Sequence, residues 1–588
     1  MSRRHAPTLA TLLLLLALAA AAAACGSSAT PPAGETSGTP ATSVAATGTT
    51  RTNTDVTLDS PHRGGTMRIN WNTFGSSIDP GIDYDGNWTL LRLTNDGLLT
   101  WKRVAGADGN TLVPNLAEEI PTPTSDGHIY TFKIRPGVKF STGQEVKPSD
   151  FKATIERQFK LPGPVSSFYA VLLGGDKCSA TPKAGKRCDL SLGIVADDQA
   201  MTLTFNLLRQ DPDFLQKLAL PFAYVLPANT PSEETGVTPL PATGPYMIES
   251  YKPGESMVMV RNPKFVQWSR DAQPNGYPDR IEFNLAITPN EGTTQVANGD
   301  ADFIADQIPA DRLGEVSEQY PAQLAINPNP QVYHMVLNAT TPPFDDVRVR
   351  QAINYATDRS AIVQLWGGPK LALVTCQILP PNFPSYEPYC PYTLSPGSAW
   401  SSPDLAKAKQ LVDASGTKGQ KVVIITTPDE VTTAVSLYFV SLLKELGYDA
   451  TTKTLQSGVE YTYVQDSANQ AQMSMSYWYP DYPAPADFLD IVVGCGGYHE
   501  HSTANPNLSM FCDPTIDAKT KAAEAMQLTD PAAAVALWTE VDRLTTDAAP
   551  WVPLFVASRL DFVSSRVGNY QSNPSVVGGF MFEQAWVQ

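Results

Sequence analysis

The sequence predicts an α/β protein of two or three domains, on three observations. Its 588 residues exceed what one compact core ordinarily holds, about 100–200 residues per domain. Short alternating stretches ended by turn residues recur in the first half. The second half carries a strand–helix–strand pattern suited to a parallel sheet flanked by helices.

The chain opens on a targeting pattern that does not belong to the fold. Arg3 and Arg4 form a short basic region, and residues 10–24 are an Ala/Leu run broken only by Thr11. That run is shorter than the roughly 20 apolar residues a membrane span needs. Ala22-Ala23-Ala24-Cys25 resembles a bacterial lipobox, with Ala22 where Leu is usual. Residues 1–25 are therefore expected to be a lipoprotein signal with Cys25 as the lipidated residue; plain secretion by cleavage near the alanines is the alternative. Residues 26–61, rich in Ser, Thr, Pro, Gly and Ala, lack the apolar side chains for a core and are expected to be a disordered tether.

Residues 67–71 alternate like a strand. So do 130–135, before the turn signal Pro136-Gly137, and 258–260 form a third candidate after Pro253-Gly254. Further on, Asp345 can cap a helix whose Val349, Ala352, Ile353 and Ala356 share one face. Ser402-Pro403 opens another, with Leu405, Ala408 and Val412 aligned and Gly416 as its stop. Residues 421–426 read as a buried strand, 430–446 as a helix ended by Gly447, and 449–455 as a second strand. These three form the βαβ unit.

Composition narrows the function. Hydrophobic residues make up 42% and charged residues 17%, which is globular. A net charge of -17 repels nucleic acid and anionic lipid and mildly favours cationic solutes, although solubility is its plainer consequence. Of seven cysteines, six fall into close couples once Cys25 is set aside: Cys178 with Cys188, Cys376 with Cys390, Cys495 with Cys512. Six cysteines allow 15 connectivities; the nearest-neighbour set is expected, in an oxidising compartment. No G-x-S-x-G, P-loop, H-E-x-x-H or strand-linked G-x-G-x-x-G occurs, so no catalytic residue, cofactor or enzyme activity is assigned. His499-Glu500-His501 is the one cluster suggestive of a metal; it reads better as a solvated loop, and no metal is expected.

Residues 473–481, Met-Ser-Met-Ser-Tyr-Trp-Tyr-Pro-Asp, are the most informative stretch. They read as a short strand broken at Pro480, which puts Trp478 and Asp481 at or just past its carboxyl end. Ligands of open α/β sheets bind beyond that end. A carboxylate among aromatic rings suits a primary ammonium group, because the rings exclude water and strengthen its charge-assisted hydrogen bonds. The competing role for Asp481 is to cap a helix near Asp487-Phe488-Leu489, with Trp478 in the core.

The ordered blocks of the chain resemble the family 5 extracellular solute-binding proteins of ABC importers, the oligopeptide- and dipeptide-binding group. They are Gly64–Ile69 with Ile78-Asp79-Pro80 and Asp96-Gly97-Leu98-Leu99; residues 112–118; residues 130–140; Thr243-Gly244-Pro245-Tyr246; Arg261-Asn262-Pro263; residues 343–352; and residues 549–554. The resemblance implies a two-lobed periplasmic-binding-protein type II fold with three domains around a hinged ligand cleft. Domain I is expected from 62–102, 222–306 and 546–588, domain II from 103–221 and domain III from 307–545. It also implies a monomer that binds short peptides, has no catalytic role, and hands its cargo to the permease subunits of an importer at the outer face of the cell membrane. By the family's W-x-x-D pattern Asp481 takes the ligand's ammonium group. Trp478, Tyr479 and Tyr477 wall the cleft, and Tyr84 and Asp85 face the same end of the ligand. Residues 507–512 resemble a segment that ends in a bridged cysteine, which supports the Cys495–Cys512 pair. Relatives that take nickel chelates, sugars, opines or other small solutes keep a non-peptide cargo open, and a sensory receptor or secreted hydrolase on the same scaffold is the more distant alternative.

Overall fold

The computed structural model describes residues 51, 62–75, 77–82, 88–162, 165–179, 189–573 and 579–588. The expected signal with Cys25, the tether apart from Arg51, and Tyr84, Asp85 and Cys188 lie outside the described residues. No helix among the described residues is long and apolar enough to cross a membrane.

The fold is mixed α/β, organised by one eleven-stranded sheet. In chain order the strands of the two larger sheets are β1 (Thr66–Asn70); β2 (Ile129–Lys133), β3 (Ile194–Asp197) and β4 (Thr202–Asn206); β5 (Tyr246–Lys252), β6 (Ser256–Arg261), β7 (Arg280–Asn284), β8 (Phe303–Ile304), β9 (Leu324–Leu337), β10 (Ala372–Val374), β11 (Lys421–Thr426), β12 (Asp449–Thr454), β13 (Met473–Trp478) and β14 (Trp551–Val563). Strands β2, β4 and β3 form a separate antiparallel sheet in that order. The large sheet runs β12-β11-β13-β9-β14-β8-β1-β7-β6-β5, with β10 beside β14.

Alternation puts Met67 and Ile69 of β1 against Met257 and Met259 of β6 and Ile281 and Phe283 of β7, in one buried core. At the other end of the sheet the βαβ unit forms as the sequence predicts. Strands β11 and β12 pair in parallel across helix 430–445, whose Val435, Phe439, Leu442 and Leu443 pack on Val422 and Ile424. Its first turn is capped by Asp429, which accepts from the Thr432 amide at 2.8 Å. Two helix starts differ by a residue or two from the sequence reading. The helix Val347–Ala356 is capped by Asp346, not Asp345, and Leu405–Ser415 is capped by Asp404 rather than opened by Ser402-Pro403. Asp346 accepts from the Arg348 amide and Asp404 from the Lys407 amide, so in each case the aspartate nearest the first turn wins. Gly416 ends the latter helix at φ 71°, a left-handed conformation that a side chain would strain.

The recurring sequence blocks are tied to one another by buried polar groups. Asp96 accepts from Asn115 (3.0 Å), Thr243 (2.8 Å) and Gln273 (2.8 Å), which joins three blocks at one node. Arg350 donates to the carbonyls of Phe344 and Ala548 (both 2.8 Å), so residues 343–352 latch onto the turn that precedes β14. Asp79 is fully buried and accepts both terminal nitrogens of Arg157, at 2.8 and 2.5 Å, with the Thr235 and Gly81 amides at 2.9 Å. A Cβ at Gly81 would stand 2.7 Å from Arg157 Nη1 and 2.4 Å from Leu161 Cδ1, so a side chain there would push against this ion pair. Cys376–Cys390 and Cys495–Cys512 are disulfides, matching two of the three expected pairs.

Burial alone would raise the Asp79 carboxyl, but Arg157 and the two amides outweigh it and hold it below the usual carboxylate range. Its contribution is present above the unfolded value, near 3.9, and is lost as pH falls through the depressed folded value. Arg157→Met is expected to cost about 3–5 kcal/mol, because it strands a buried carboxylate. Urea unfolding at pH 7 measures the loss, which shrinks as both proteins are taken to pH 3.

Candidate functional site

Three strands of the large sheet end at the same place. Strand β11 runs parallel to both β12 and β13, so their carboxyl ends lie side by side. Beyond β11 come Thr427 and Asp429. Beyond β12 comes a helix, Ser457–Gln465, that presents Ser457, Glu460 and Tyr461. At the end of β13 come Tyr477 to Asp481. All of these line one cavity of about 670 Å³. Tyr333 of β9 and Trp366 join the wall from the neighbouring strand and the helix Arg359–Trp366, and Trp88 enters from the helix Trp88–Thr94.

The wall is aromatic and close-packed. Tyr333 lies 5.2 Å from Tyr477 and 4.4 Å from Trp366, ring centre to ring centre, with Phe555 of β14 stacked behind it at 4.8 Å. Register sets this arrangement. Tyr333 faces Tyr477 across the β9–β13 ladder and Val332 faces Trp478.

Asp487 governs the loop after β13. It is buried, and its Oδ2 accepts both the Trp478 indole N–H and the Asp481 backbone N–H, each at 3.0 Å. Burial and the nearby Asp481 charge push its carboxyl well above the usual range, which favours the neutral acid. The following residues anchor the loop elsewhere: Tyr482 and Ala484 are buried in the apolar core that surrounds the three-stranded sheet. One side of the cavity is thus closed by chain that leaves its own core for another.

The sequence-derived candidates therefore meet. Trp478, Tyr479, Tyr477 and Asp481 all line the cavity, whereas Tyr84 and Asp85 lie outside the described residues. Asp481 is not a helix cap: the short helix Ala486–Leu489 has no side-chain cap. Trp478 is half-buried, with one part against the core of Phe488 and Trp538 and another in the cavity. His499 and His501 sit on an exposed loop, and no group of three or more metal-ligating side chains occurs among the described residues. Sequence reasoning missed Tyr333, Trp366, Asp429, Glu460 and Tyr461. The rule applied to β13, that ligands lie past strand carboxyl ends, would have found Asp429 and Glu460 had it been applied to β11 and β12 as well.

The model of the bacterial extracellular solute-binding proteins, family 5, matches residues 111–500. The chain belongs to this family. It is 23% identical to the glutathione-binding protein GsiB of Escherichia coli O6:K15:H31 over 522 residues, 87% of this chain and 93% of the relative. Among solved structures, clavulanic acid biosynthesis oligopeptide binding protein 2 superposes with a TM-score of 0.80 at 24% identity, over 90% of this chain and 96% of that one. The Helicobacter pylori periplasmic binding protein DppA, in complex with peptide STSA, superposes with a TM-score of 0.65 at 20% identity, over 90% and 98%. The fold is accordingly the two-lobed binding-protein fold with a ligand cleft, and the relatives of this family 5 chain are extracytoplasmic binding proteins, not enzymes.

Asp487→Asn preserves an uncharged acceptor where the neutral acid sits, and Asp487→Ala removes it. The expectation is that the Asn variant keeps solute affinity within about threefold, whereas the Ala variant loses tenfold or more and about 1–3 kcal/mol of stability. Calorimetric titration and thermal unfolding of the two variants check this.

Proposed function

We propose that this protein captures short peptides in the cavity at the ends of β11, β12 and β13 and delivers them to the permease subunits of an ABC importer. The observation that carries the reading is Asp481 in an aromatic cavity, held by a backbone bond to Asp487 beside Trp478. Asp481 accepts the peptide's amino terminus, and Trp478, Tyr479 and Tyr477 cover it from water. Tyr84 and Asp85 are assigned to the same end of the ligand. A hydrogen bond to a charged group contributes ~1.5–3 kcal/mol, and the apolar wall brings the site to the upper part of that range. Backbone groups of an extended peptide supply affinity without reading its side chains. The relatives named for glutathione, oligopeptide and peptide binding support a peptide over another solute.

Binding acts by population shift. A solute that touches both lobes stabilises the closed form, and the closed form is what the transporter engages. Domain I is assigned to 62–102, 222–306 and 546–588, domain II to 103–221, and domain III to 307–545. The mature protein is assigned as a monomer held to the outer face of the membrane by a lipid on Cys25 through the tether 26–61, with Cys178–Cys188 as its third disulfide.

Asp481→Ala is expected to weaken free-amine peptides at least tenfold while the fold persists, and N-acetylated peptides should bind wild type poorly. Isothermal titration with matched free and acetylated peptides tests both. Equal affinity for the two forms removes the ammonium role.

A further inference from the structure

The charged groups among the described residues of the cavity wall are Asp429, Glu460 and Asp481, and all three are acidic. They are not equivalent. Asp429 is committed to its own helix, where it accepts from Thr427 Oγ1 and the Thr432 amide, and these bonds outweigh burial and hold its carboxyl below the usual range. Asp481 is the group assigned to the amino terminus. Glu460 serves in neither way, and its carboxyl makes no hydrogen bond or ion pair within the described residues. A cation that approaches the same helix, Lys453, rests over the ring of Tyr463 at 3.9 Å, outside the cavity lining. A first-turn glutamate is favoured by the helix dipole wherever it points; Glu460 is distinguished by pointing into an aromatic cavity.

We propose that Glu460 is a second cation-binding group of the cavity, and that the preferred cargo is a peptide carrying a basic side chain in addition to its amino terminus. This rests on the peptide reading above. A carboxylate left half-buried without a counterion is unfavourable, and a lysine ammonium or arginine guanidinium relieves that cost when it arrives. The rings of Tyr461, Tyr477 and Tyr333 line the same wall and add cation–π attraction, which is indifferent to the exact pose of a long flexible side chain. A neutral side chain gains neither term.

Burial lifts the Glu460 carboxyl to about 7. The titratable groups around it are Tyr461 on its own helix, Tyr477, Tyr479 and Asp481 from β13 and its loop, Asp429 past β11, and Tyr333 on β9. Asp487, buried behind the Asp481 loop and outside the lining, is held as the neutral acid by burial and the Asp481 charge, so the change assigned to this wall as pH rises through about 7 is Glu460 gaining negative charge. A cationic side chain binds the ionised form, and its advantage therefore grows as pH rises.

The test is titration calorimetry with two matched pairs of free-amine peptides, trialanine against Ala-Lys-Ala and pentaalanine against Ala-Lys-Ala-Ala-Ala. The readout is the affinity ratio within a pair, in which the shared amino terminus cancels. For wild type at pH 8 the lysine peptide is expected to bind at least tenfold tighter. That ratio should fall to below threefold in Glu460→Gln and shrink at least threefold on going to pH 6. A wild-type ratio near one overturns the inference and leaves peptide capture standing. Binding of none of the four peptides overturns capture itself. A ratio that survives in Glu460→Gln, or that is flat with pH, overturns the assignment to Glu460.

Discussion

The architecture depends on two long antiparallel strands, β9 and β14. They pair from Leu324 opposite Phe562 to Val336 opposite Trp551, and each is more than twice as long as β1 or β7 in the same sheet. One end of this ribbon is joined through β8 to the layer of β1, β7, β6 and β5; the other holds β13 and through it the βαβ unit. The ribbon thus sits inside both halves of a continuous sheet. Its backbone bonds fix the position of β13, and β13 in turn brings Trp478 and Asp481 to the cavity. A binding site assembled from loops alone would lack that rigidity.

On this frame the site is a meeting of strand ends. Parallel neighbours β11, β12 and β13 stop at a common edge, so residues some twenty to fifty positions apart in sequence converge. Helix starts past β11 and β12 supply Asp429 and Glu460, and a proline past β13 supplies the break after which Asp481 is held by Asp487. Three carboxylates at one edge are tolerated for different reasons. One is used as a cap, one lies beside a neutral acid, and one stays half-buried with its proton affinity raised.

How much of this could be read from sequence follows the range of the forces. The βαβ unit was legible because its buried strand, its helix periodicity and Gly447 are local signals. The place of Asp481 and Trp478 at a strand end was legible because Pro480 marks that end locally, whereas a ligand role for them was favoured only through the W-x-x-D resemblance. The family blocks were recognisable, but their meaning was not. Asp96, Asn115 and Thr243 look like unrelated polar residues until the fold brings them within hydrogen-bond distance. Tyr333 and Trp366 were illegible, since an aromatic residue in an apolar run reads as core, and only the β9–β13 register shows that one face of Tyr333 is left open to a cavity. Consecutive aspartates at 345 and 346 gave no local basis for choosing the cap. The role of Asp487 needed the third dimension outright, because its partners lie six and nine residues upstream in a loop of irregular path.

The β9–β14 ladder shifts register between Tyr333 and His334. To one side Tyr333 looks into the cavity; directly after it His334 is buried and stacks on Trp551 at 3.5 Å. Side chains along a strand alternate strictly, so a shift of one position exchanges its two faces. Deletion of a single codon upstream in β9 would therefore bring the His334 imidazole to the place of the Tyr333 phenol at the cavity and change the chemistry of that wall.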